Sequence, residues 1–192
     1  KQYKDLLKID SDGGFSNTGD GYARGIEFFW RDNRSIRRLD YWASYSFLDT
    51  RRDYLNFPTE ATPSFASTHN FSLVAKYFIT SMKSQASATY SYASGRPYNN
   101  PNEDRFNGSR TPAYHDLSIS WSYLPRPNII VFLSCTNVTG RDNIFGYEYG
   151  STPNEGGLYN GRPIRQAAPR FMFIGLFLTL SKDKSVNQLP SL

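Results

Sequence analysis

The sequence predicts an all-β protein, a segment of an antiparallel transmembrane β-barrel. Apolar and polar residues alternate with a period of two through most of the chain, as in strands that have two different faces. Aromatic residues make up 16% of the chain, and Tyr and Trp suit a structure with an apolar central belt and ends that contact water. The longest apolar run, 171–180, fits a tilted spanning strand of about ten residues, whereas a spanning helix needs roughly 20.

Seven segments carry the period-two pattern. The clearest is 114–123, in which Leu117, Ile119 and Trp121 alternate with serines. Residues 1–7 fit the tip of an additional, earlier strand. The seven predicted strands are 22–31, 39–48, 69–78, 85–94, 114–123, 129–138 and 170–181.

The connections between these strands alternate in length. Residues 32–36, 79–84 and 124–128 form short turns, whereas 49–68, 95–113 and 139–169 form long loops. Short turns at one end and long loops at the other are typical of outer-membrane barrels, with the turns on the periplasmic side. Residues 8–21 then belong to another outer loop, and we expect the chain to form the last part of a larger barrel.

The polar face of the predicted strands is rich in Ser, Thr, Asn and Gly, with a few charges. Arg or Lys on a lipid-facing surface costs roughly 2–4 kcal/mol at mid-membrane, so the charges are expected to point inward. Contact with a plug or pore and cross-strand ion pairing explain them equally well. The predicted inward-facing residues are Glu27, Arg31, Asp40, Lys76 and Asp116.

The aromatic residues of the other face favour two belts at the membrane interfaces over the core of a soluble sheet. These residues are Phe28, Trp30, Tyr41, Tyr45, Tyr77, Tyr90, Tyr92, Trp121 and Tyr123. A second aromatic set, accompanied by amides, falls in the long loops. Rings and amides can hold a sugar, peptide or chelate by stacking and hydrogen bonding, although loop packing also explains them. The candidate ligand-binding residues are Tyr98, Asn99, Asn100, Tyr147, Tyr149 and Tyr159, and Asn154 lies in the loops among them.

Other functional classes find little support. No nucleophile motif, phosphate-binding loop or His-Glu-x-x-His run occurs, so we expect neither an enzyme nor a bound cofactor. His69 and His115 lack a ligand cluster, and Asp10, Asp12 and Asp20 miss the spacing of a calcium loop, so no metal site is expected. The net charge is +5, but the basic residues are scattered, which argues against nucleic-acid binding. Cys135 is expected to act as a small apolar side chain.

Five runs resemble the C-terminal barrel strands of TonB-dependent outer-membrane receptors of the Bacteroidetes type. Residues 17–27 (NTGDGYARGIE) are similar to a strand entry of that family, and residues 39–50 (LDYWASYSFLDT) to its next strand. Residues 94–98 (SGRPY) resemble a loop entry, and residues 134–140 (SCTNVTG) the penultimate strand with its loop. Residues 170–180 resemble the closing strand, although Leu180 stands where the family usually ends on an aromatic residue.

The resemblance implies a barrel of about 22 strands in the Gram-negative outer membrane, filled by a plug domain and coupled to the TonB complex. It implies import of a siderophore, oligosaccharide, peptide or similar ligand. The implied partners are membrane lipid and lipopolysaccharide, the plug, the TonB complex and a surface lipoprotein. Residues 1–181 would form barrel and 182–192 a polar tail. The alternative is a complete barrel of eight strands with a structural or adhesive role.

Overall fold

The computed structural model describes residues 1–9 and 12–180. These residues form twelve β-strands and one 3-10 turn, Thr80–Met82. The strands are β1 (Gln2–Ile9), β2 (Phe15–Asp32), β3 (Leu39–Asp53), β4 (His69–Ile79), β5 (Ser84–Ala93), β6 (Pro97–Tyr98), β7 (Ser109–Arg110), β8 (Tyr114–Arg126), β9 (Ile129–Thr136), β10 (Ile144–Tyr149), β11 (Gly161–Arg165) and β12 (Phe171–Leu178).

Eight of these strands build one antiparallel sheet, called the wall below. Its order is β1-β2-β3-β4-β5-β8-β9-β12, so each strand pairs with the wall strand that precedes it in the chain. Within the described residues β1 and β12 each pair on one side only, so the wall is an open sheet. A complete eight-stranded barrel would join these two strands, because closure is what removes sheet edges.

The predicted strands are all present, and several are longer than the alternation indicated. β2 starts at Phe15, inside the predicted loop 8–21, because its first residues pair with β1. β3 continues to Asp53, since β2 pairs with it as far as Asp20↔Asp53. On its other side, beyond the start of β4, Arg52 exchanges two backbone hydrogen bonds with Ala61. The predicted tail, 182–192, and the end of the last predicted strand lie outside the described residues.

The wall has short turns at one edge and long loops at the opposite edge. The turn end comprises residues 33–38, 80–83 and 127–128, and the outer loops are 54–68, 94–113 and 137–170. Two small hairpins, β6–β7 and β10–β11, lie inside outer loops that were predicted to have no strands. The described residues contain no helix that is long and apolar enough to cross a membrane.

Strand register divides the wall into two faces. One face, the apolar face, carries Ile26, Phe28 and Trp30 on β2, and each is at least 45% exposed. Only three hydrophobic residues of the described chain are buried, namely Ala61, Ala66 and Phe78. A soluble protein of this size would bury a large apolar core, so the exposed apolar face indicates a surface that meets lipid.

Tyrosine–histidine pairs recur on the apolar face towards the outer loops. The Tyr45 hydroxyl lies 2.9 Å from His69 Nδ1, and the Tyr90 hydroxyl lies 2.9 Å from His115 Nδ1. Towards the turn end, Trp30 packs edge-on against Tyr41, with ring centroids 5.1 Å apart. Aromatic residues with polar tips near both ends of the face match the predicted interfacial belts.

Candidate functional site

The other face of the wall, the polar face, carries a charged cluster near the turn end. The Arg31 Nε and Nη2 atoms donate to both carboxylate oxygens of Asp40, at 2.9 and 2.7 Å. The Trp42 ring lies beside two cations, with Arg31 Cζ 5.6 Å and Lys76 Nζ 5.0 Å from its centroid. Asp40 is buried, whereas Arg31 is half exposed. Two cations and one acid leave this cluster with an unbalanced positive charge.

The other two predicted inward-facing acids lie on the same face, closer to the outer loops. Glu27 has no hydrogen-bond or ion-pair partner among the described side chains. The Asp116 carboxylate accepts a hydrogen bond from the Ser118 hydroxyl at 2.5 Å. Glu27 and Asp116 therefore place two acids between this basic cluster and the outer loops.

A cavity of about 910 Å³ opens on the polar face beneath the outer loops. Its floor is formed by small polar wall residues, including Ser44, Asn70 and Ser91, with Glu27 among them. Phe145 and Gln166 border it, from the loop that follows β9. The cavity is large enough for a small-molecule ligand or for a loop of another domain.

Three of the predicted ligand-binding tyrosines meet where two outer loops touch. The rings of Tyr98 and Tyr147 lie 4.7 Å apart. Burial, followed by a hydrogen bond to Tyr98, raises the pKa of Tyr149 to about 12. Because the three tyrosines contact one another, they join the two outer loops. Their rings also present an aromatic surface.

The remaining predicted loop residues have different surroundings. Asn100 is tied into its own loop, with its amide nitrogen donating to Glu103 at 3.1 Å. The Tyr159 backbone is held by Asn102, which accepts from its N–H at 2.8 Å and donates to its carbonyl at 2.9 Å. Asn99 is exposed and makes no hydrogen bond in the described chain. Asn154 accepts from the N–H groups of Gly156 and Leu158, so it shapes a turn.

Two buried asparagines anchor the longest outer loop to the wall. The Asn137 amide nitrogen donates to the carbonyls of Arg141 and Pro169, at 2.7 and 2.6 Å. It therefore joins the two ends of the loop. Asn143 pairs with the backbone of His115 in both directions, at 3.1 and 2.8 Å, as a strand residue would. Neither residue was predicted to have a role, although Asn137 lies in the run that resembles the family's penultimate strand.

The remaining candidate metal ligands are dispersed. In the described ranges no three His, Cys, Asp or Glu side chains are close enough to hold a metal ion. Asp12 accepts a hydrogen bond from the Gly14 N–H, at 3.1 Å, while Asp10 lies outside the described residues. Cys135 is a free cysteine on the apolar face.

Comparison with known proteins matches residues 1–138 to the family model described as TonB dependent receptor-like, beta-barrel. No curated protein sequence matches the chain. Similar solved structures include the ferric-catecholate import receptor Fiu from E. coli K12, with a TM-score of 0.61, 15% identity and 92% of this chain covered. The outer membrane transporter YddB from Escherichia coli gives a TM-score of 0.64, with 10% identity and 92% of this chain covered.

The siderophore receptor PiuA from Acinetobacter baumannii gives a TM-score of 0.62, with 13% identity and 91% of this chain covered. At these identities the likeness is one of fold. The chain spans 24% of Fiu, 29% of YddB and 24% of PiuA, so it corresponds to about a quarter of such a barrel protein.

Proposed function

The chain belongs to the TonB-dependent receptor family, as part of its β-barrel, and on that premise we propose that it supplies wall and outer loops to an importer. Barrels of this family lie in the Gram-negative outer membrane. Members of the family are transporters that carry a plug domain and interact with TonB. The proposed cargo is a siderophore, oligosaccharide, peptide or similar ligand. The observation that carries the proposal is the two-faced wall, with lipid-type residues on one face and a charged, serine-rich surface on the other.

The polar face supports contact with the receptor's own plug. Lys76 has no acid within ion-pairing distance among the described side chains, while Asp40 is fully engaged by Arg31. A carboxylate on the plug would balance that charge. Glu27 and Asp116, nearer the outer loops, would meet cationic or hydrogen-bond-donating groups. The unbalanced charges are therefore assigned to the interface between wall and plug.

The outer loops support ligand capture. Tyr98, Tyr147 and Tyr149 offer ring surfaces, and Asn99, next to Tyr98 in the chain, offers an unpaired amide. Asn100 and Tyr159 hold the two loops in place through Glu103 and Asn102. The proposal is that the loops first bind cargo here and that it then passes to the cavity beneath. Lipid and lipopolysaccharide would surround the apolar face, and a surface lipoprotein would cover the outer loops.

Import is tested in cells that produce the full-length receptor, with a ferric catecholate, an oligosaccharide and a short peptide as labelled probes. At least one probe should accumulate above the empty-vector level, and a proton ionophore should abolish that accumulation. Accumulation that the ionophore does not reduce would contradict TonB coupling. Failure of every probe to accumulate would contradict the proposed cargo classes.

A further inference from the structure

Arg52 occupies a fixed position near the top of the polar face. Its backbone N–H and carbonyl both bond to Ala61, at 2.9 and 3.0 Å, which continues the pairing of β3 beyond the start of β4. Its partner in the β2–β3 register is Gly21, which also pairs with Tyr3 on β1. A Cβ atom at Gly21 would lie 3.0 Å from Arg52 Cγ, so glycine leaves the arginine room to reach Tyr3.

Three aromatic rings surround the Arg52 guanidinium. Its Cζ atom lies 4.5 Å from the Tyr3 centroid, 5.2 Å from Phe65 and 5.6 Å from Tyr54. Tyr3 lies on β1, and Tyr54 and Phe65 both come from the outer loop 54–68. Aromatic faces attract a cation through their quadrupole but do not neutralise its charge.

The guanidinium has no acceptor within the described chain. No side-chain donor of Arg52 makes a hydrogen bond, and its Nε is buried without a partner. The neighbouring acid, Asp53, binds Lys8 through Oδ2 at 2.7 Å, and its buried Oδ1 makes no hydrogen bond to Arg52 or to any other described group. Two other arginines of the β2–β3 ladder do have acids: Arg24 binds Asp49, and Arg31 binds Asp40. A partly buried, unpartnered guanidinium therefore marks a place for an acceptor that the described chain does not supply.

We propose that Arg52, with Tyr3, Tyr54 and Phe65, binds a carboxylate carried by the imported ligand, at the outer mouth of the polar face. The inference rests on the proposed import function and narrows its cargo to anionic ligands with a flat apolar body. A guanidinium matches a carboxylate with two parallel hydrogen bonds. The surrounding rings reduce the local dielectric, which strengthens that pairing, and offer edges to an apolar group on the ligand.

The test uses the full-length receptor in detergent micelles and benzoate as the probe, with neutral benzamide for comparison. Saturation-transfer difference NMR detects weak binding to large proteins. Benzoate should bind roughly ten-fold more tightly than benzamide, and Arg52→Gln should reduce benzoate binding by about the same factor. Arg51→Gln is the matched control, because Arg51 is one residue away, exposed, and on the opposite face. It should leave benzoate binding unchanged.

Heat modifiability in gel electrophoresis verifies that each variant barrel is folded. Should Arg52→Gln fail to fold, Arg52→Lys serves instead, since it keeps the charge and loses the paired geometry, and it should weaken benzoate binding measurably. Equal binding of benzoate and benzamide would overturn the proposal. Benzoate binding that does not depend on Arg52 would also overturn it, and this is the result expected if a plug carboxylate already occupies the guanidinium.

The two proposals fail in different ways. If benzoate binds through Arg52 but no probe accumulates in energised cells, the import function fails and the anion site remains. If a probe is imported but substitution of Arg52 leaves benzoate binding unchanged, the proposed anion site is wrong and the proposed import function remains.

Discussion

The wall and the outer loops are held together by different kinds of interaction. Wall strands are joined by continuous backbone ladders, such as the thirteen register pairs between Asp20↔Asp53 and Asp32↔Tyr41. The longest outer loop depends instead on single buried side chains, above all Asn137 and Asn143. A ladder tolerates most substitutions that keep the apolar or polar character of each face, because the backbone makes the hydrogen bonds. A side-chain anchor is lost with one residue, so the loops are expected to be the sensitive region.

The largest effect is expected from a charge placed on the apolar face of the wall. Ile119 lies on the apolar face and Ser120 on the polar face, between Ser87 and Ser134. Ile119→Arg should destabilise the folded barrel by about 2–4 kcal/mol, because the charge would meet lipid. Ser120→Arg should cost much less, since it meets a hydrated interior. Urea unfolding of both variants in lipid vesicles measures the difference, and equal costs would contradict the assignment of faces.

The next effect removes the main loop anchor. Asn137→Ala leaves the Arg141 and Pro169 carbonyls without their donor, and each loss of this kind costs about 1–3 kcal/mol. Hydrogen exchange should accelerate throughout 139–169 while the wall ladders stay protected. Asn154→Ala is the control within the same loop, and it should affect only the turn around Gly156 and Leu158. Unchanged exchange in Asn137→Ala would show that the loop is held by other contacts.

A smaller effect compares two ion pairs on the same two strands. Arg31→Leu leaves the buried Asp40 carboxylate without its partner and should cost about 1–3 kcal/mol. Arg24→Leu breaks a pair on the opposite face whose arginine is largely exposed, and exposed pairs contribute little to stability. The urea midpoint of Arg31→Leu should therefore be lower than that of Arg24→Leu. The reverse order would argue that Asp40 is hydrated in the folded protein.

The smallest effect concerns pH and the tyrosine contact between loops. The pKa of Tyr149 in the folded protein is raised to about 12, above the ordinary value of 10.0. A raised pKa favours the neutral phenol, so this contribution is fully present below pH 10 and is lost as pH rises from about 10 to 12. The tyrosinate absorbance of the native protein minus that of Tyr149→Phe should have its midpoint near pH 12. A midpoint near 10 would contradict the buried contact with Tyr98.

The sequence was sufficient to predict most of the wall but only part of the loops. Alternation identifies strands wherever one face is apolar, and 114–123 falls inside β8 as predicted. It fails for the upper part of β3, where Arg51, Arg52 and Asp53 follow one another. The strand persists there because β2 pairs with it as far as Asp53, and Ala61 bonds to Arg52 on the other side. The register places Glu27, Arg31, Asp40, Lys76 and Asp116 on one face of the wall, and that this face is the inward one stays a prediction.

The candidate site was less accessible to sequence reasoning. Tyr98 and Tyr147 are 49 positions apart, and only the folded loops bring their rings together. Arg52 gains its significance from Tyr3 and Phe65, which are distant along the chain. Asn137 acts on residues four and 32 positions away. Such contacts depend on the conformation of irregular segments, about which a period-two pattern carries no information.

The central claim is that the apolar face meets lipid and the polar face meets a hydrated interior. Spin labels at Ile119 and Ser120, introduced in the full-length receptor after Cys135→Ala, test it by electron paramagnetic resonance. At position 119 the label should collide more often with oxygen, which concentrates in lipid. At position 120 it should collide more often with a water-soluble nickel chelate or contact the plug. Labels with the same preference at both positions, or with the opposite one, would contradict the account.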